Sequence, residues 1–262
     1  MGWHACRHAY TVRASMSLVT NRFGQPVGAP LPDWTPRQMP SRAPMQGRLC
    51  RLEFLDASRH ARALHEAYSA DPEGRNWTYL PYGPFVSADE YQSAVAEMQR
   101  LDHTLFYAIV DEATQKPVGV AAYLRIDPAN GSIEVGHLSF SPALQRRAAA
   151  TEAMYLMMRR VFDELGYRRY EWKCDAANAP SLAAAKRLGF RFEGVFRQMM
   201  VVKGRNRDTA WLSIVDSEWP ALKIALEGWL ARENFDGSGV QRRSLSRFVA
   251  DARGRGAGTA GD

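Results

Sequence analysis

The stretch SFSPALQRRAAATEAMYLMM, Ser139 to Met158, decides how this chain is read. It leaves a strand, crosses a short loop and enters a long helix. Met154, Met157, Met158, Val161, Phe162 and Leu165 share one apolar stripe of that helix, and Gly166 ends it. A helix start leaves about four N–H groups without an intrahelical acceptor and carries a partial positive charge. It is therefore a ready pyrophosphate site, and Arg146 and Arg147 add two full charges beside it.

Working outward, the pattern predicts a strand over Arg48–Leu55. A helix follows over Ser58–Ala70, capped by Ser58. A second spans Ser87–Leu101, with Ser87 and Glu90 as a capping box. An aromatic loop, Trp77 to Phe85, joins them. Three strands follow, Thr104–Asp111, Pro117–Ile126 and Ser132–Ser141, forming an antiparallel meander. Beyond the long helix come a strand (Arg168–Cys174), a short helix (Pro180–Leu188, capped by Asn178 and stopped by Gly189), a basic-tipped hairpin (Arg191–Val202, Thr209–Val215) and a closing helix, Trp219–Leu230. The order β-α-α-β-β-β-α-β-α-β-β is a mixed α/β layout.

This layout resembles the GNAT (GCN5-related) N-acetyltransferase superfamily, and four motifs carry the resemblance. Gln145-Arg146-Arg147-Ala148-Ala149-Ala150 sits where the family has its Gln/Arg-x-x-Gly-x-Gly/Ala coenzyme A loop. Ala150-Thr151-Glu152-Ala153 is similar to the Ala-Thr-Glu-Ala of the ribosomal-protein N-terminal acetyltransferase (Rim-type) branch. Glu134-Val135-Gly136-His137 looks like its Glu-Ile-Gly strand. Asn178-x-x-Ser181 followed by Leu188-Gly189-Phe190-x-x-Glu193-Gly194 looks like its ending. The likeness covers residues 48–216. It implies the GNAT fold, a mostly antiparallel mixed sheet flanked by helices. It also implies acetyl-CoA as co-substrate and a primary amine as acceptor, either a protein N-terminus or a small molecule. Leu138, Ser139 and Phe140, residues 145–151 and Asn178 are then expected at the cofactor: Gln145, Arg146, Arg147, Ala148, Ala149, Ala150 and Thr151 from the loop, the strand trio for the oxyanion, and Asn178 for the pantetheine arm.

Departures are informative. Ala148 stands where the family prefers glycine, which is harmless if the backbone there is αR and strained if φ is positive. A tyrosine that many relatives use to protonate the thiolate is Ala185 here, and a carboxylate of some ribosomal-protein relatives is Met200. The resemblance makes Ser181 the candidate acid. Glu134 and His137 are the candidate bases; three apart on a strand, they are expected on opposite faces. The missing groups keep two other readings open: a non-catalytic CoA-binding module, and a transferase using another acyl-CoA.

The net charge of +6 belongs to the ends. Residues 1–51 hold seven arginines against Asp33, and residues 237–262 hold five against two acids. The body carries 22 bases and 25 acids. That distribution argues against a nucleic-acid partner, which calls for a basic face on the fold. No apolar run nears the ~20 residues of a membrane span, and three scattered cysteines without metal spacing read as reduced thiols in a cytoplasmic protein. Residues 1–47 are expected as an extension, with 1–15 preceding a start at Met16, plus a proline-rich arm in which Phe23 and Trp34 have something to bury. The acetyltransferase domain is expected over 48–236 and a disordered basic tail over 237–262. A homodimer is left open.

Overall fold

The computed structural model describes residues 18–256. The expected extension over 1–15, Cys6 and the tail beyond 256 lie outside the described residues. The chain divides into two units. The first, ending at Thr35, contains a small antiparallel hairpin of β1 (Leu18–Thr20) and β2 (Pro26–Gly28). Phe23, expected to bury, is instead exposed under the Arg22 guanidinium, 4.5 Å above its ring.

The second unit, from Pro36 onward, is built on one eight-stranded sheet. Its strands are β3 (Met45–Gln46), β4 (Cys50–Phe54), β5 (Leu105–Asp111), β6 (Pro117–Asp127), β7 (Ser132–Phe140), β8 (Arg169–Asp175), β9 (Arg191–Val202) and β10 (Arg205–Val215). The spatial order is β3-β4-β5-β6-β7-β8-β10-β9, with β7–β8 the one parallel pair. The stretch 117–123 of β6 is buried on both faces, which is why it reads as a continuous apolar run rather than an alternation.

Helices α1 (Ala57–Tyr68) and α2 (Ala88–Gln99) cover one face, burying Leu64, Tyr68, Tyr91 and Val95 against Phe106 and Val120. The other face carries α3 (Ala148–Arg159), extended by a π-helical turn, Arg160–Glu164, together with α4 (Ala179–Arg187) and α5 (Trp219–Leu230). Local chemistry fixes the ends. Asp56, not Ser58, caps α1: its carboxylate accepts the Arg59 N–H at 2.9 Å and the Ser58 hydroxyl. Ser87 caps α2, and Glu90 reaches one residue further back than a capping box, to the Val86 N–H at 2.7 Å. The β9–β10 turn is Lys203-Gly204, both with positive φ (48° and 72°), the two-residue geometry that matches strand twist.

The expected disorder over 237–262 is corrected over its middle. Residues Leu245–Gly256 form α6, which packs on α5 with Leu245 and Val249 buried and Phe248 against Gly228. Leu245, Phe248, Val249 and Ala252 fall at i, i+3, i+4 and i+7, a stripe wide enough to repay ordering despite the Gly/Ser/Arg composition. The arm likewise packs over residues 36–47. Tyr167, Tyr107 and Arg160 donate to the carbonyls of Gln38 (3.1 Å), Ser41 (2.7 Å), Ala43 (2.7 Å) and Pro44 (2.8 Å), so the proline-rich backbone finds donors outside any ladder.

Candidate active site

β7 and β8 pair only from Ser132 to Val135 against Arg169 to Trp172, then separate. On its other side β7 is interrupted by a bulge. Ala122 faces Gly136 and Val120 faces Ser139, so Ala121 opposes two residues, and His137 takes φ 51°. The bulge shifts the side-chain phase. Glu134 and His137, expected on opposite faces, therefore line the same cavity.

That cavity, of about 740 Å³, is bounded by β7 and β8, by Tyr79, Leu80 and Pro81 of the aromatic loop, and by Met200 and Arg207 of the β9–β10 hairpin. The aromatic loop serves both the core and the cavity. Trp77 packs into the core against Tyr68, Tyr91 and Phe85, while its neighbours wall the cavity. The basic hairpin tip is fastened to the loop, because Lys203 Nζ donates to the Trp77 carbonyl at 2.8 Å.

A second, larger hollow, a groove of about 1550 Å³, runs along the start of α3. Leu138, Phe140, residues 145–151 and Asn178 all line it. Ser139 does not: it is buried, with Asn76 Nδ2 donating to its hydroxyl at 2.7 Å and Tyr68 OH donating to its carbonyl at 3.0 Å. The positive φ in the loop falls on Arg146 (61°), while Ala148 is the first helical residue. Alanine in place of the family's glycine at position 148 is thus unstrained. The α3 start, Ala148 to Ala150, forms the groove wall, with the Ala150 N–H turned back to the Arg147 carbonyl at 3.2 Å. Gln145 braces the loop by donating to the Phe140 carbonyl at 2.8 Å.

Sequence reasoning missed four residues here. Arg48 and Arg187 line the groove, Arg187 donating to Thr151 Oγ1 at 2.7 Å and lying over the Trp229 ring at 5.7 Å. Asn76 and Trp172 line both hollows. An isolated arginine at a strand start or in a last helical turn carries no spacing signal, and an alternating tryptophan reads as core.

The two hollows meet. Asn76, Leu138, Gln145, Trp172, Asn178 and Ser181 border both. Asn178 Oδ1 accepts the Ser181 N–H at 3.1 Å, capping α4, and Trp172 Nε1 donates to Ser181 Oγ at 3.0 Å. With an acceptor site filled by the indole, the serine keeps its own proton to donate. Glu134 accepts Arg125 at both oxygens (2.9 Å each) and Lys173 at 2.9 Å; Lys173 also reaches Glu171 at 2.7 Å. Tyr82 stacks on the His137 ring, centroids 5.6 Å apart, with its hydroxyl 3.2 Å from Nδ1. Burial, then the charges of Arg125 and Arg207, hold the His137 pKa down to about 4. Ala185 is fully buried in the α4 packing, and Met200 presents a thioether to the cavity. Among the described residues there is no cluster of metal-ligating side chains, and no helix is long and apolar enough to cross a membrane.

The cationic helix start is the feature the sequence motifs pointed to, and the structure sets it below the opening where β7 and β8 part. The Acetyltransferase (GNAT) domain family matches residues 51–191. The chain belongs to the GNAT acetyltransferase family. Its relatives of known structure include a GCN5-related N-acetyltransferase from Brucella melitensis. That chain is 50% identical, is matched over 84% of this chain and all of the other, and has a TM-score of 0.82. A protein from Chromobacterium violaceum ATCC 12472, described as a probable acetyltransferase of the GNAT family, is 42% identical over 75% of this chain and 98% of that one (TM-score 0.70). An N-acetyltransferase of Bacillus licheniformis, itself uncharacterised, is 25% identical over 58% of this chain and 85% of its own length. GNAT acetyltransferases use acyl-CoA, and the groove fits that group: the positive end of α3 with Arg146, Arg147, Arg48 and Arg187 suits phosphates, and the β7–β8 opening suits a slender arm.

Proposed function

We propose that this GNAT chain transfers acetyl from acetyl-CoA to a primary amine. The observation that carries the reading is the meeting of groove and cavity at Leu138, Trp172, Asn178 and Ser181, which brings a cofactor tail and an acceptor to one point. When bound, acetyl-CoA supplies the activated acyl group. Arg48, Arg146, Arg147, Arg187 and the α3 start hold its phosphates, and Asn178 and the open edge of β7 hold its arm. The backbone around Leu138, freed from regular pairing by the bulge, offers an N–H to charge developing on the thioester oxygen.

Ser181 is the acid. It gives its proton to the departing sulfur while Trp172 holds its oxygen. Glu134 balances Arg125 and Lys173 and stiffens the cavity floor. A histidine near 4 is a weak base for an ammonium, and the Glu134 carboxylate is already engaged by Arg125 and Lys173. The amine therefore enters neutral, which favours an α-amine titrating near ~8 over a lysine near ~10.4. Once nitrogen has bonded to carbon it is far more acidic, and neutral His137, directly or through one water, can take its proton. The motif residues Thr151 and Glu152 do framework work. Glu152 accepts the Leu49 and Cys50 N–H groups at 2.5 and 2.8 Å. They therefore mark a branch of the family rather than an acceptor. The protein is taken as cytoplasmic, with its buried Cys50 and Cys174 as free thiols.

The test pairs calorimetry with kinetics. CoA should bind one to one, and S181A should bind it unchanged while kcat falls roughly 10²-fold, the scale of general acid catalysis. Equal kcat in S181A removes serine from the chemistry, and absence of CoA binding removes the whole reading.

A further inference from the structure

All but one of the described cations of the 740 Å³ cavity can be matched with a carboxylate partner. Arg75 pairs with Glu73 at 2.5 Å. Arg125 and Lys173 share Glu134, each at 2.9 Å, and Lys173 adds Glu171. The two remaining acids are spent on backbone: Asp71 accepts the Asn76 N–H at 3.1 Å and Asp175 the Ala177 N–H at 2.8 Å. Arg207 alone among the cavity's described cations has no carboxylate within salt-bridge reach, and its Nε is buried without a hydrogen-bond partner. It reaches inward from β10, close enough to depress the titration of His137 on one side and to offset the effect of burial on Cys174 on the other. Ser181 and Leu138 border the same space.

A buried guanidinium nitrogen left without an acceptor is costly, so a ligand that supplies one gains from a site already formed. The planar fork of arginine suits a carboxylate in two parallel hydrogen bonds. No second unpaired cation accompanies it among the described residues of the cavity, and the α4 start at its border already has its Ser181 N–H capped by Asn178 at 3.1 Å, so the site balances one negative charge, which fits a carboxylate better than a phosphate dianion. The volume also exceeds the needs of a bare alkylamine and lies within the usual range for a ligand of several functional groups.

We infer that Arg207 is a specificity subsite for a carboxylate carried by the acceptor, so that the amine and an acid group of one molecule are held together, the amine at Ser181 and the acid at β10. The inference rests on the acetyl-transfer reading for its kinetic consequence but not for its binding consequence. The experiment uses matched amines that differ only as carboxylate against carboxamide, supplied both as free amino acids and as short peptides with an acidic or amidated second residue. Binding to the CoA-loaded full chain is measured by calorimetry and turnover by thiol release. The carboxylate member of each pair should bind at least about tenfold tighter, the scale of a charge-assisted pair. R207Q should bring that preference close to one, and R207K, which keeps the charge but not the fork, should restore part of it. The series that shows the larger preference, free amino acid or peptide, identifies the source of the carboxylate. Equal binding of carboxylate and carboxamide by the wild-type chain, or a preference that survives R207Q, would overturn the inference. Selective binding without thiol release would leave the subsite standing and sink acetyl transfer instead.

Discussion

His137 shows how far a side chain's chemistry can be moved by its neighbours. Sequence reading makes it a histidine poised to titrate near neutrality. The β7 bulge instead turns it between Tyr82 and Phe106, and burial with two arginines holds it neutral down to about pH 4. An unfolded histidine titrates near ~6.5. Between these values the unfolded chain takes up the proton and the folded chain does not. This contribution to stability is therefore complete above about pH 6.5 and is lost as pH falls toward 4. Melting temperature measured across pH 4–7.5 should drop on the acid side, and H137N should flatten part of that drop. An identical pH profile in the variant would show that His137 is protonated freely in the folded state. Ser181 was legible through the resemblance and lies where groove and cavity meet. Its partner Trp172 and the cation Arg187 were not, because a single residue at no special spacing gives no sign of what it will face, and Arg207 was legible only as one cation of a basic hairpin tip, with nothing to say that it turns inward.

At the level of elements, strands and helices with strong periodicity were readable, from β5 through α5, and their ends were set by caps that differ by one or two residues from expectation. The bulge in β7 was hidden because an alternating strand and a bulged one share the same composition; what creates it is the register against β6. The last helix was hidden for the opposite reason. Glycine, serine and arginine dominate residues 237–262, and the four-residue apolar stripe of α6 is thin enough to be lost in that background. The packing is nonetheless specific: Leu245 and Val249 are buried, and Arg253 donates to the Gly189 carbonyl at 2.7 Å, tying α6 to the end of α4. L245A should therefore cost about 3 kcal/mol in urea unfolding, the range for truncating a buried leucine. A loss within the ±0.5 kcal/mol of surface substitutions would show that α6 does not dock.

Over the whole molecule, charge and shape divide the labour. The excess of arginine lies near the ends of the sequence, yet the fold recruits Arg48 from the first part to the groove, where it also donates to the Leu230 carbonyl at 2.7 Å. The family and its sheet were legible because four motifs fell in order on the right elements. The meeting of groove and cavity was not, since it depends on where β7 and β8 part and on how the β9–β10 hairpin leans back to the aromatic loop through Lys203. The central claim is that this junction moves an acetyl group to an amine. Its most direct test is thiol release from acetyl-CoA by the full chain, with and without a panel of primary amines that includes α-amines, lysine side-chain analogues and carboxylate-bearing members. The account predicts release that depends on the amine, rises with pH as the amine loses its proton and exceeds hydrolysis in water many-fold. Tight CoA binding with no amine-dependent release would contradict it and leave a CoA-binding module in place of an enzyme.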